Sequence, residues 1–298
     1  MKKKVLIIGG YGFMGRNLCE ILSKNNFEVS AIVKKVKNKN NQLKNIKFLK
    51  CDISNFKNLA KIIKKKYNII INCSGNINHS NKKETYNSHY KGIKNILQAC
   101  KKIKLDLFIQ LGSSLEYGNI KSPHKEITRC SPISHYGKAK YLATKFLVKS
   151  SIKTYLIFRL YQLYGPYQKS NRLIPFVVSS CLKNKSFNCS DGEQLRDFLY
   201  VDDFSKLILK ILKNKKKIKS GIYNVGNGNP VKVRYVINKI NKILKKGKPN
   251  FGKIKMRKDE INVQFPNVNK LKETFNWSPK VSLNSGIIRT IKFYRKFI

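Results

Sequence analysis

A glycine-rich segment near the N-terminus restricts the fold of this chain more than any other feature. Val5 to Ile8 form a short apolar run, which is followed at once by Gly9-Gly10-Tyr11-Gly12-Phe13-Met14-Gly15. Residues 13–22 then have the apolar spacing of an amphipathic helix. A buried strand, a tight glycine turn and a helix in this order are typical of dinucleotide sites, where a pyrophosphate binds the N–H groups at the helix N-terminus. We therefore expect Gly9, Gly12 and Gly15 to surround a dinucleotide pyrophosphate.

The rest of the N-terminal half alternates between short apolar runs and polar, lysine-rich stretches. The apolar runs predict strands, and the stretches between them predict helices. We expect strands at residues 5–8, 29–33, 69–73, 107–111 and 155–158, and helices at residues 13–22, 59–65, 85–102 and 136–149. This alternation predicts an α/β fold with a doubly wound parallel sheet of the Rossmann type.

The alternation becomes irregular after about residue 160, where Gly, Pro and Tyr cluster. We expect a smaller C-terminal α/β region, which binds the substrate, to begin there. The predicted Rossmann domain comprises residues 1–164 and 198–226, and the predicted substrate region comprises residues 165–197 and 227–298. The substrate is expected in the cleft between them.

The charge of the chain is unusually positive. Lysine and arginine number 63 against 15 aspartate and glutamate residues, which gives a formal net charge of +48. Such a charge is typical of proteins that bind nucleic acid or membrane surfaces. Here, however, only 9 basic residues are arginine, the charge is spread over the whole chain, and Lys, Asn and Ile, which share AT-rich codons, are all abundant. We therefore interpret the charge as codon bias and expect no nucleic-acid partner, although the positive field favours anionic substrates.

Cysteine usage and apolar run lengths indicate the compartment. The seven cysteines are odd in number and contain no CxxC pair, which predicts reduced thiols and a cytoplasmic protein. No run approaches the ~20 apolar residues needed to cross a bilayer, so we expect no membrane association. The histidines lack the spacing of metal ligands, so we expect no metal site.

The end of the second predicted strand bears on which dinucleotide binds. An acidic residue at this point binds the ribose 2′-hydroxyl of NAD, whereas a basic residue suits the 2′-phosphate of NADP. Here the strand ends in Ala31-Ile32-Val33-Lys34-Lys35 and contains no acid. We therefore expect NADP, bound in part by Lys34, with NAD as the alternative.

Tyr136-Gly137-Lys138-Ala139-Lys140 forms a YxxxK pattern in a predicted helix. Residues four apart share a helix face, so the Lys140 ammonium would stabilise the phenolate form of Tyr136. Tyr136 is then a candidate acid or base for a hydroxyl/carbonyl pair. Ser113 follows a predicted strand at the sheet edge where open α/β folds bind ligands, and it could hydrogen-bond the same substrate oxygen.

Together these motifs resemble the extended short-chain dehydrogenase/reductases, the branch with the NAD(P)-dependent nucleotide-sugar epimerases, dehydratases and reductases. The motifs that carry the resemblance occur in order over nearly the full length: GGYGFMG at 9–15, CDI at 51–53, GSSLEYG at 112–118, YGKAK at 136–140, RLYQLYGP at 159–166, DGEQLRDF at 191–198, YVDD at 200–203 and NWSP at 276–279. The segment 164–203 most resembles the CDP-abequose synthase group, which reduces 4-keto-deoxysugar nucleotides.

The resemblance implies a role for individual residues. The cofactor-binding set would be Gly9, Gly12, Phe13, Met14 and Gly15 at the pyrophosphate, Asp52 and Ile53 at the adenine, and Cys73, Ser74 and Gly75 along the cofactor. Ser113, Tyr136 and Lys140 would be the catalytic set, with Lys140 also binding the nicotinamide ribose. The substrate-binding set would be Ser113, Ser114, Arg172, Leu173, Arg196 and Arg257, with the last two arginines at the pyrophosphate of the sugar nucleotide.

Departures from the family pattern narrow the expected reaction. Dehydratases of this branch carry an Asp-Glu pair directly after the catalytic hydroxyl residue, and Ser114-Leu115 stand there in this chain. We therefore expect no dehydratase activity. An Asn that is common on the fourth helix of the family is His89, and an Asn often found after the sixth strand is Gln162.

Two enzymatic functions and one non-enzymatic function follow from these observations. The first is NADP-dependent reduction of a 4-keto-deoxysugar nucleotide at C4, with Tyr136 as proton donor. The second is 4-epimerisation of a nucleotide sugar by a retained NAD, with the same residues. The third is a non-catalytic NADP-binding regulatory protein, against which the intact Ser-Tyr-Lys set argues.

The resemblance also implies a homodimer, because helices 85–102 and 136–150 are those that pair between subunits in this family. Each contains apolar positions that could form a four-helix interface. These positions are Ile93, Ile96, Leu97, Leu142, Phe146 and Leu147.

Overall fold

The computed structural model describes residues 2–36, 43, 45–64, 67–75, 82–214, 218–256 and 260–298. The strands are β1 (Lys4–Ile8), β2 (Glu28–Val33), β3 (Ile46–Lys50), β4 (Ile69–Asn72), β5 (Leu107–Ser113), β6 (Tyr155–Leu160), β7 (Gln162–Tyr164), β8 (Ser186–Asn188), β9 (Leu195–Arg196), β10 (Phe198–Tyr200), β11 (Gly221–Val225), β12 (Val231–Lys232), β13 (Lys248–Asn250) and β14 (Val263–Gln264). The α-helices are α1 (Phe13–Ser23), α2 (Phe56–Ile63), α3 (Lys82–Tyr86), α4 (Gly92–Cys100), α5 (His135–Val148), α6 (Leu173–Leu182), α7 (Val201–Lys213), α8 (Val233–Leu244), α9 (Asn269–Phe275) and α10 (Leu283–Tyr294). A π-helical turn, Asn87–Lys91, joins α3 to α4, and a 3₁₀ turn, Ser114–Glu116, follows β5.

Seven strands form the central sheet, in the order β11-β6-β5-β4-β1-β2-β3. The pairs from β3 through β6 are parallel, and the order reverses beside β1, as in a doubly wound Rossmann sheet. The predicted fold class is therefore confirmed. Because the strands are parallel, the residues that follow β1, β2, β4 and β5 all lie at the carboxyl edge of the sheet.

Continuous apolar sequence explains why these strands form the centre of the fold. In β1, the four residues after Lys4 are fully buried, and β4 and β5 are buried along their whole length. Strands that are covered on both faces have no polar side, which is why the predicted runs are apolar without alternation. The core that covers one face includes Leu6, Ile8 and Ile70.

The chain divides into two compact units. Unit 1 comprises residues 1–118, 126–160 and 205–223, and contains almost all of the central sheet. Unit 2 comprises residues 119–125, 161–204 and 224–298. Three small sheets lie in unit 2, in the orders β10-β7, β12-β9-β14 and β13-β8, and α6, α8 and α10 supply much of its apolar core.

The helices of the predicted dimer interface bury most of the predicted contact positions within the chain itself. Ile93, Ile96, Leu97 and Leu147 belong to the core under the central sheet, so the expectation that they could form an interface is wrong. Their spacing reflects packing against the chain's own sheet. Leu142 is exposed and Phe146 is partly buried. Within the described residues, no helix is both long and apolar enough to span a membrane.

Candidate active site

The glycine turn between β1 and α1 has the geometry of a pyrophosphate cradle. Gly9 has a φ of +91°, and a Cβ on Gly15 would lie 2.1 Å from the Gly9 carbonyl oxygen. The turn therefore closes only because Gly15 has no side chain. The N-cap of α1 is Gly12, which offers no side-chain cap to the first turn of the helix. Backbone N–H groups at such a helix end bind anions, so the residues present fit a dinucleotide pyrophosphate.

Lys34 and Asp52 contact each other at the ends of β2 and β3. The Lys34 ammonium lies 3.9 Å from a carboxylate oxygen of Asp52, and both side chains are at least half exposed. Asp52 also accepts hydrogen bonds from the backbone N–H and hydroxyl of Ser54. The pKa of the Asp52 carboxyl lies below its ordinary value. The hydrogen bond from the Ser54 N–H is the largest cause, the Ser54 hydroxyl and Lys34 add to it, and burial opposes it. The next residue, Ile53, is buried, and its carbonyl accepts from Asn95 on α4.

The segment after β4 is connected to β5 by buried polar side chains. Ser74 donates to the Asn72 amide oxygen at 2.5 Å, and Asn72 donates to Gln110 at 2.8 Å. Asn72 and Gln110 are register partners in the sheet, and each is 3% exposed. Gln110 in turn donates to the Leu111 carbonyl. The predicted cofactor-lining residues thus follow a strand that ends in a polar residue. They are Cys73, Ser74 and Gly75.

Ser113 is the last residue of β5 and caps the 3₁₀ turn after it. Its hydroxyl oxygen accepts from the Leu115 N–H at 3.2 Å. A serine oxygen that accepts one hydrogen bond retains its own proton for donation. Ser113 and Ser114 are 7% and 4% exposed. The structure thus presents a serine donor at the carboxyl edge of the sheet.

Tyr136 and Lys140 lie on α5, which begins at a side-chain cap. Ser134 accepts from the Gly137 N–H at 3.0 Å, and such caps are favoured helix starts. The Lys140 ammonium donates to the Leu111 carbonyl at 2.8 Å and lies 5.8 Å from the centre of the Tyr136 ring. Helix α5 also contacts β5 and the 3₁₀ turn, so the structure places the helix that carries Tyr136 and Lys140 against the strand that ends in Ser113, all within unit 1.

His89 contacts the same tyrosine from the π-helical turn. Its ring packs edge-on against the Tyr136 ring, with the centroids 5.0 Å apart. A Cβ on Gly75 would lie 1.8 Å from the His89 ring, so the imidazole fills the space beside that glycine. His89 is 5% exposed. The departure from the family pattern at position 89 thus lies directly beside the candidate catalytic residue.

The predicted substrate-binding arginines belong to unit 2 or lie outside the described residues. Arg172 is the N-cap of α6, and Leu173 is its first residue. Arg196 is 6% exposed, forms an ion pair with Glu260 and donates to the backbone carbonyls of Leu195 and Asn262. Arg257 lies outside the described residues.

A buried ion pair lies next to Ser113 and was not among the predicted site residues. Glu116 is completely buried, and its carboxylate contacts the Arg159 guanidinium at 3.0 Å. Two signals were available. Ser113 and Glu116 have the Ser-x-x-Glu spacing of a capping box, and Arg159 is a charged residue within an apolar strand. A charge in such a position is buried only with a partner.

Known proteins match this chain along its length. The family model for the NAD dependent epimerase/dehydratase family matches residues 5–226. CDP-abequose synthase of Salmonella typhimurium strain LT2 is 28% identical over 98% of both chains. A putative UDP-glucose 4-epimerase of Methanocaldococcus jannaschii is also 28% identical, again over 98% of both. The structure of a UDP-glucuronic acid 4-epimerase from Bacillus cereus, in complex with UDP-glucuronic acid and NAD, superimposes with a TM-score of 0.90 at 24% identity, over 99% of this chain and 100% of that one.

Proposed function

The chain belongs to the NAD dependent epimerase/dehydratase family, and from this premise we propose that it reduces a nucleotide-linked 4-keto-deoxysugar at C4 with NADPH. The observation that carries the proposal is that Tyr136 and Lys140 lie on a helix that contacts β5, the strand that ends in Ser113. The matching CDP-abequose synthase, 28% identical over nearly the full length, favours reduction over other reactions of the family.

Each residue of the catalytic set has one task in this reaction. The bound cofactor supplies the hydride that C4 receives. Ser113 donates a hydrogen bond to the C4 oxygen and orients the carbonyl. Tyr136 transfers its hydroxyl proton to that oxygen as the C–H bond forms, so that the carbonyl becomes a hydroxyl group. Lys140 stabilises the phenolate left on Tyr136, which takes up a proton from water before the next turnover.

The cofactor proposal depends on Lys34. Val33 ends β2 and the chain continues with Lys34, so no carboxylate from this strand meets the ribose. Lys34 can bind a 2′-phosphate, but the phosphate must compete with Asp52 for the ammonium. An exposed pair of this kind contributes ~0–1 kcal/mol, which is less than a charged hydrogen bond to a phosphate, at ~1.5–3 kcal/mol. Replacement of Asp52 by the 2′-phosphate as the partner of Lys34 is therefore favourable, and it favours NADPH over NADH.

A 4-epimerase is the second candidate. The full-length match to a putative UDP-glucose 4-epimerase supports it, and so does the NAD that is bound to the UDP-glucuronic acid 4-epimerase of the same fold. In this case Tyr136 removes the proton from the C4 hydroxyl and later returns it, so the same three residues serve both directions. The two candidates differ in whether the cofactor undergoes a net change.

The experiment that separates them follows the cofactor and the sugar at once. The purified full-length protein is denatured, and any released nucleotide is identified by chromatography. The native protein is then supplied either with NADPH and a CDP-linked 4-keto-deoxysugar or with UDP-glucose alone. We expect consumption of NADPH in step with the ketosugar and no UDP-galactose. Released NAD together with UDP-galactose would establish the epimerase, and no turnover in either assay would contradict both enzymatic candidates.

A further inference from the structure

Glu116 accepts hydrogen bonds from three different elements of unit 1. One carboxylate oxygen accepts from the Ser113 backbone N–H at 2.9 Å. The other accepts from the Thr144 hydroxyl at 2.8 Å and from Arg159 Nε at 3.0 Å. Glu116 has no exposed surface, and Thr144 and Arg159 are each 2% exposed. A single buried side chain therefore joins the end of β5, helix α5 and strand β6.

Two of these three donors belong to the elements that carry the catalytic set. Ser113 itself is bonded through its N–H, so Glu116 fixes the backbone on which the Ser113 hydroxyl is mounted. Thr144 is four residues beyond Lys140 and eight beyond Tyr136, which places the three on one face of α5. Along this row, Lys140 bonds β5 at Leu111 and Thr144 bonds Glu116 just after β5. Helix α5 is thus attached to the end of β5 at two successive turns.

The chemistry of the three donors requires a carboxylate at this position. An ionised carboxylate is a pure acceptor, and the backbone N–H, the threonine hydroxyl and the guanidinium all donate to it here. Burial lowers the pKa of Arg159, but the Glu116 carboxylate, together with Tyr117 and Cys130, outweighs this effect and raises it, so the guanidinium stays charged. The Arg159 guanidinium also stacks 4.5 Å from the centre of the Tyr117 ring.

Stability alone gives little reason to bury such a pair. Replacement of a buried ion pair by apolar residues of similar volume is often neutral or stabilising. A carboxylate between β5 and α5 has a different property, because it holds the donors of both elements at fixed hydrogen-bond lengths. Misplacement of reacting groups by about 1 Å can reduce a rate by about 10²-fold.

We propose that Glu116 is a positioning residue, which holds Ser113 in register with Tyr136 and Lys140 through Thr144. This inference rests on the proposed function, since it concerns the reaction of that catalytic set. Glu116 is buried and acts through its neighbours, so it takes no proton from the substrate. Its contribution is to keep the Ser113 donor and the Tyr136 acid directed at one substrate oxygen.

The test removes one connection and leaves the ion pair intact. Thr144→Val keeps the shape of the side chain and deletes the hydroxyl that bonds Glu116, and Thr144→Ser restores that hydroxyl. Thr290→Val is the matched control, because Thr290 is also buried in a helix and bonds a backbone carbonyl of α10 in unit 2. The assay uses whichever of UDP-glucose and the CDP-linked 4-keto-deoxysugar the wild-type protein converts. Hydrogen exchange of residues 107–118 is measured in parallel.

A positioning role predicts a specific pattern. In Thr144→Val, kcat should fall by about 10-fold or more, by the misplacement argument above, while KM and the Kd for NADPH stay within about twofold. Thr144→Ser should recover most of kcat, and Thr290→Val should lower Tm without lowering kcat. A Thr144→Val variant with wild-type kcat, or one whose loss matches that of Thr290→Val, would overturn the inference.

Two further measurements keep the inference testable if the first variant fails to fold or if the wild type is inactive. The double variant Glu116→Met/Arg159→Met removes the pair without leaving a lone charge. Its Tm should fall, because the Ser113 N–H and the Thr144 hydroxyl lose their acceptor, and it should lose kcat even when it is assayed well below that Tm. Exchange of residues 107–118 should accelerate in Thr144→Val, a result that needs no substrate. If the wild type converts neither sugar nucleotide, the proposed function fails, and unchanged exchange in this segment would separately overturn the inference.

Discussion

Tyr136 is the residue on which the proposed chemistry depends, and two side chains contact its ring. The Lys140 ammonium lies 5.8 Å from the ring centre, and the His89 imidazole packs edge-on against it. Lys140 is held in turn by the Leu111 carbonyl. The phenol therefore lies between two buried side chains, one of which is itself held by β5, and this is the condition for a proton donor that is already oriented before the substrate binds.

Replacement of Tyr136 by phenylalanine removes one oxygen and retains the ring. Proton transfer from a positioned acid is worth about 10²–10⁴-fold, or about 3–5 kcal/mol of barrier. We expect kcat of Tyr136→Phe to fall by at least about 100-fold, with the Kd for NADPH unchanged. Steady-state kinetics and fluorescence titration measure the two quantities. Tyr141→Phe, the same change on the same helix, is the control and should retain kcat. Near-normal turnover in Tyr136→Phe would rule out the mechanism for reductase and epimerase alike.

Lys34 is the residue that bears on the choice of cofactor. We expect Lys34→Gln to weaken NADPH binding by about 10-fold, because one charged hydrogen bond of ~1.5–3 kcal/mol is lost and the pair with Asp52 partly offsets it. Binding of NADH should change by less than about twofold. Fluorescence titration of both cofactors measures the difference, and Lys35→Gln, one residue further along, controls for the loss of a positive charge. Equal weakening of NADPH and NADH would contradict a contact with the 2′-phosphate.

At the scale of the elements, the sequence predicts the sheet well and its buried polar contacts poorly. The apolar run 107–111 indicates β5, and the glycine turn indicates β1 and α1, because these signals are local. Glu116, in contrast, bonds Thr144 and Arg159, which are 28 and 43 residues away. Such pairs depend on strand order and register, and a single sequence contains neither. Asn72 and Gln110 were missed for the same reason, although Asn72 is a polar residue at the end of an apolar strand and Gln110 is one in the middle of an apolar strand.

The Asn72–Gln110 pair couples β4 to β5 and can be measured by a double-mutant cycle. Gln110→Met removes the acceptor of the buried Asn72 amide, and Asn72→Leu removes the donor to the Gln110 amide oxygen. We expect each single variant to lose about 1–3 kcal/mol of unfolding free energy, and the double variant to lose less than the sum of the two. Urea denaturation gives the three values. Strict additivity would show that the two amides contribute independently.

A loop of unit 2 depends on a buried carboxylate. Asp197 is 0% exposed and accepts from the backbone N–H groups of Asn227 and Gly228. Burial raises the pKa of Asp197 to about 6, although the hydrogen bonds oppose the shift. The folded protein therefore binds this proton more tightly than the unfolded chain does. The contribution of Asp197 to stability is fully present below about pH 4, the unfolded value, and is lost as the pH rises to about 6.

The predicted pH effect of Asp197 is tested by its removal. At 1.36 kcal/mol per pKa unit, the rise in the pKa from 3.8 to about 6 changes the unfolding free energy by about 3 kcal/mol between low and high pH. We expect the unfolding free energy of the wild type, relative to Asp197→Asn, to decline by about this amount between pH 4 and pH 7. Urea denaturation at steps across this range measures it. Asp191→Asn, at an exposed position six residues earlier in the chain, is the control for the loss of one carboxylate. If the wild type instead gained stability relative to Asp197→Asn as the pH rises, the prediction would be contradicted.

The whole molecule carries a net charge of +48, and this charge acts on every association it enters. It attracts anionic sugar nucleotides and dinucleotides from a distance, and added salt weakens that attraction. It also repels a second copy of the same chain. A homodimer, which we propose from the family resemblance, must therefore overcome like-charge repulsion by apolar contacts. The candidate face lies on α5 and the helical run 82–100, where Tyr86, Leu142 and Val148 are 49%, 39% and 45% exposed.

This balance predicts that salt strengthens the dimer while it weakens ligand binding. The Debye length falls from ~10 Å at 0.1 M salt to ~3 Å at 1 M, so repulsion between protomers is screened and the apolar contacts remain. We expect sedimentation to show a dimer whose Kd decreases as salt is raised.

Leu142→Lys should shift the equilibrium to monomer, because it places a charge in the apolar face. Ile127→Lys, at a position that is 91% exposed in the same unit, adds the same charge elsewhere and should leave the dimer intact. A wild-type protein that stays monomeric at every salt concentration would reject the dimer, and equal effects of the two variants would show that Leu142 lies outside the interface.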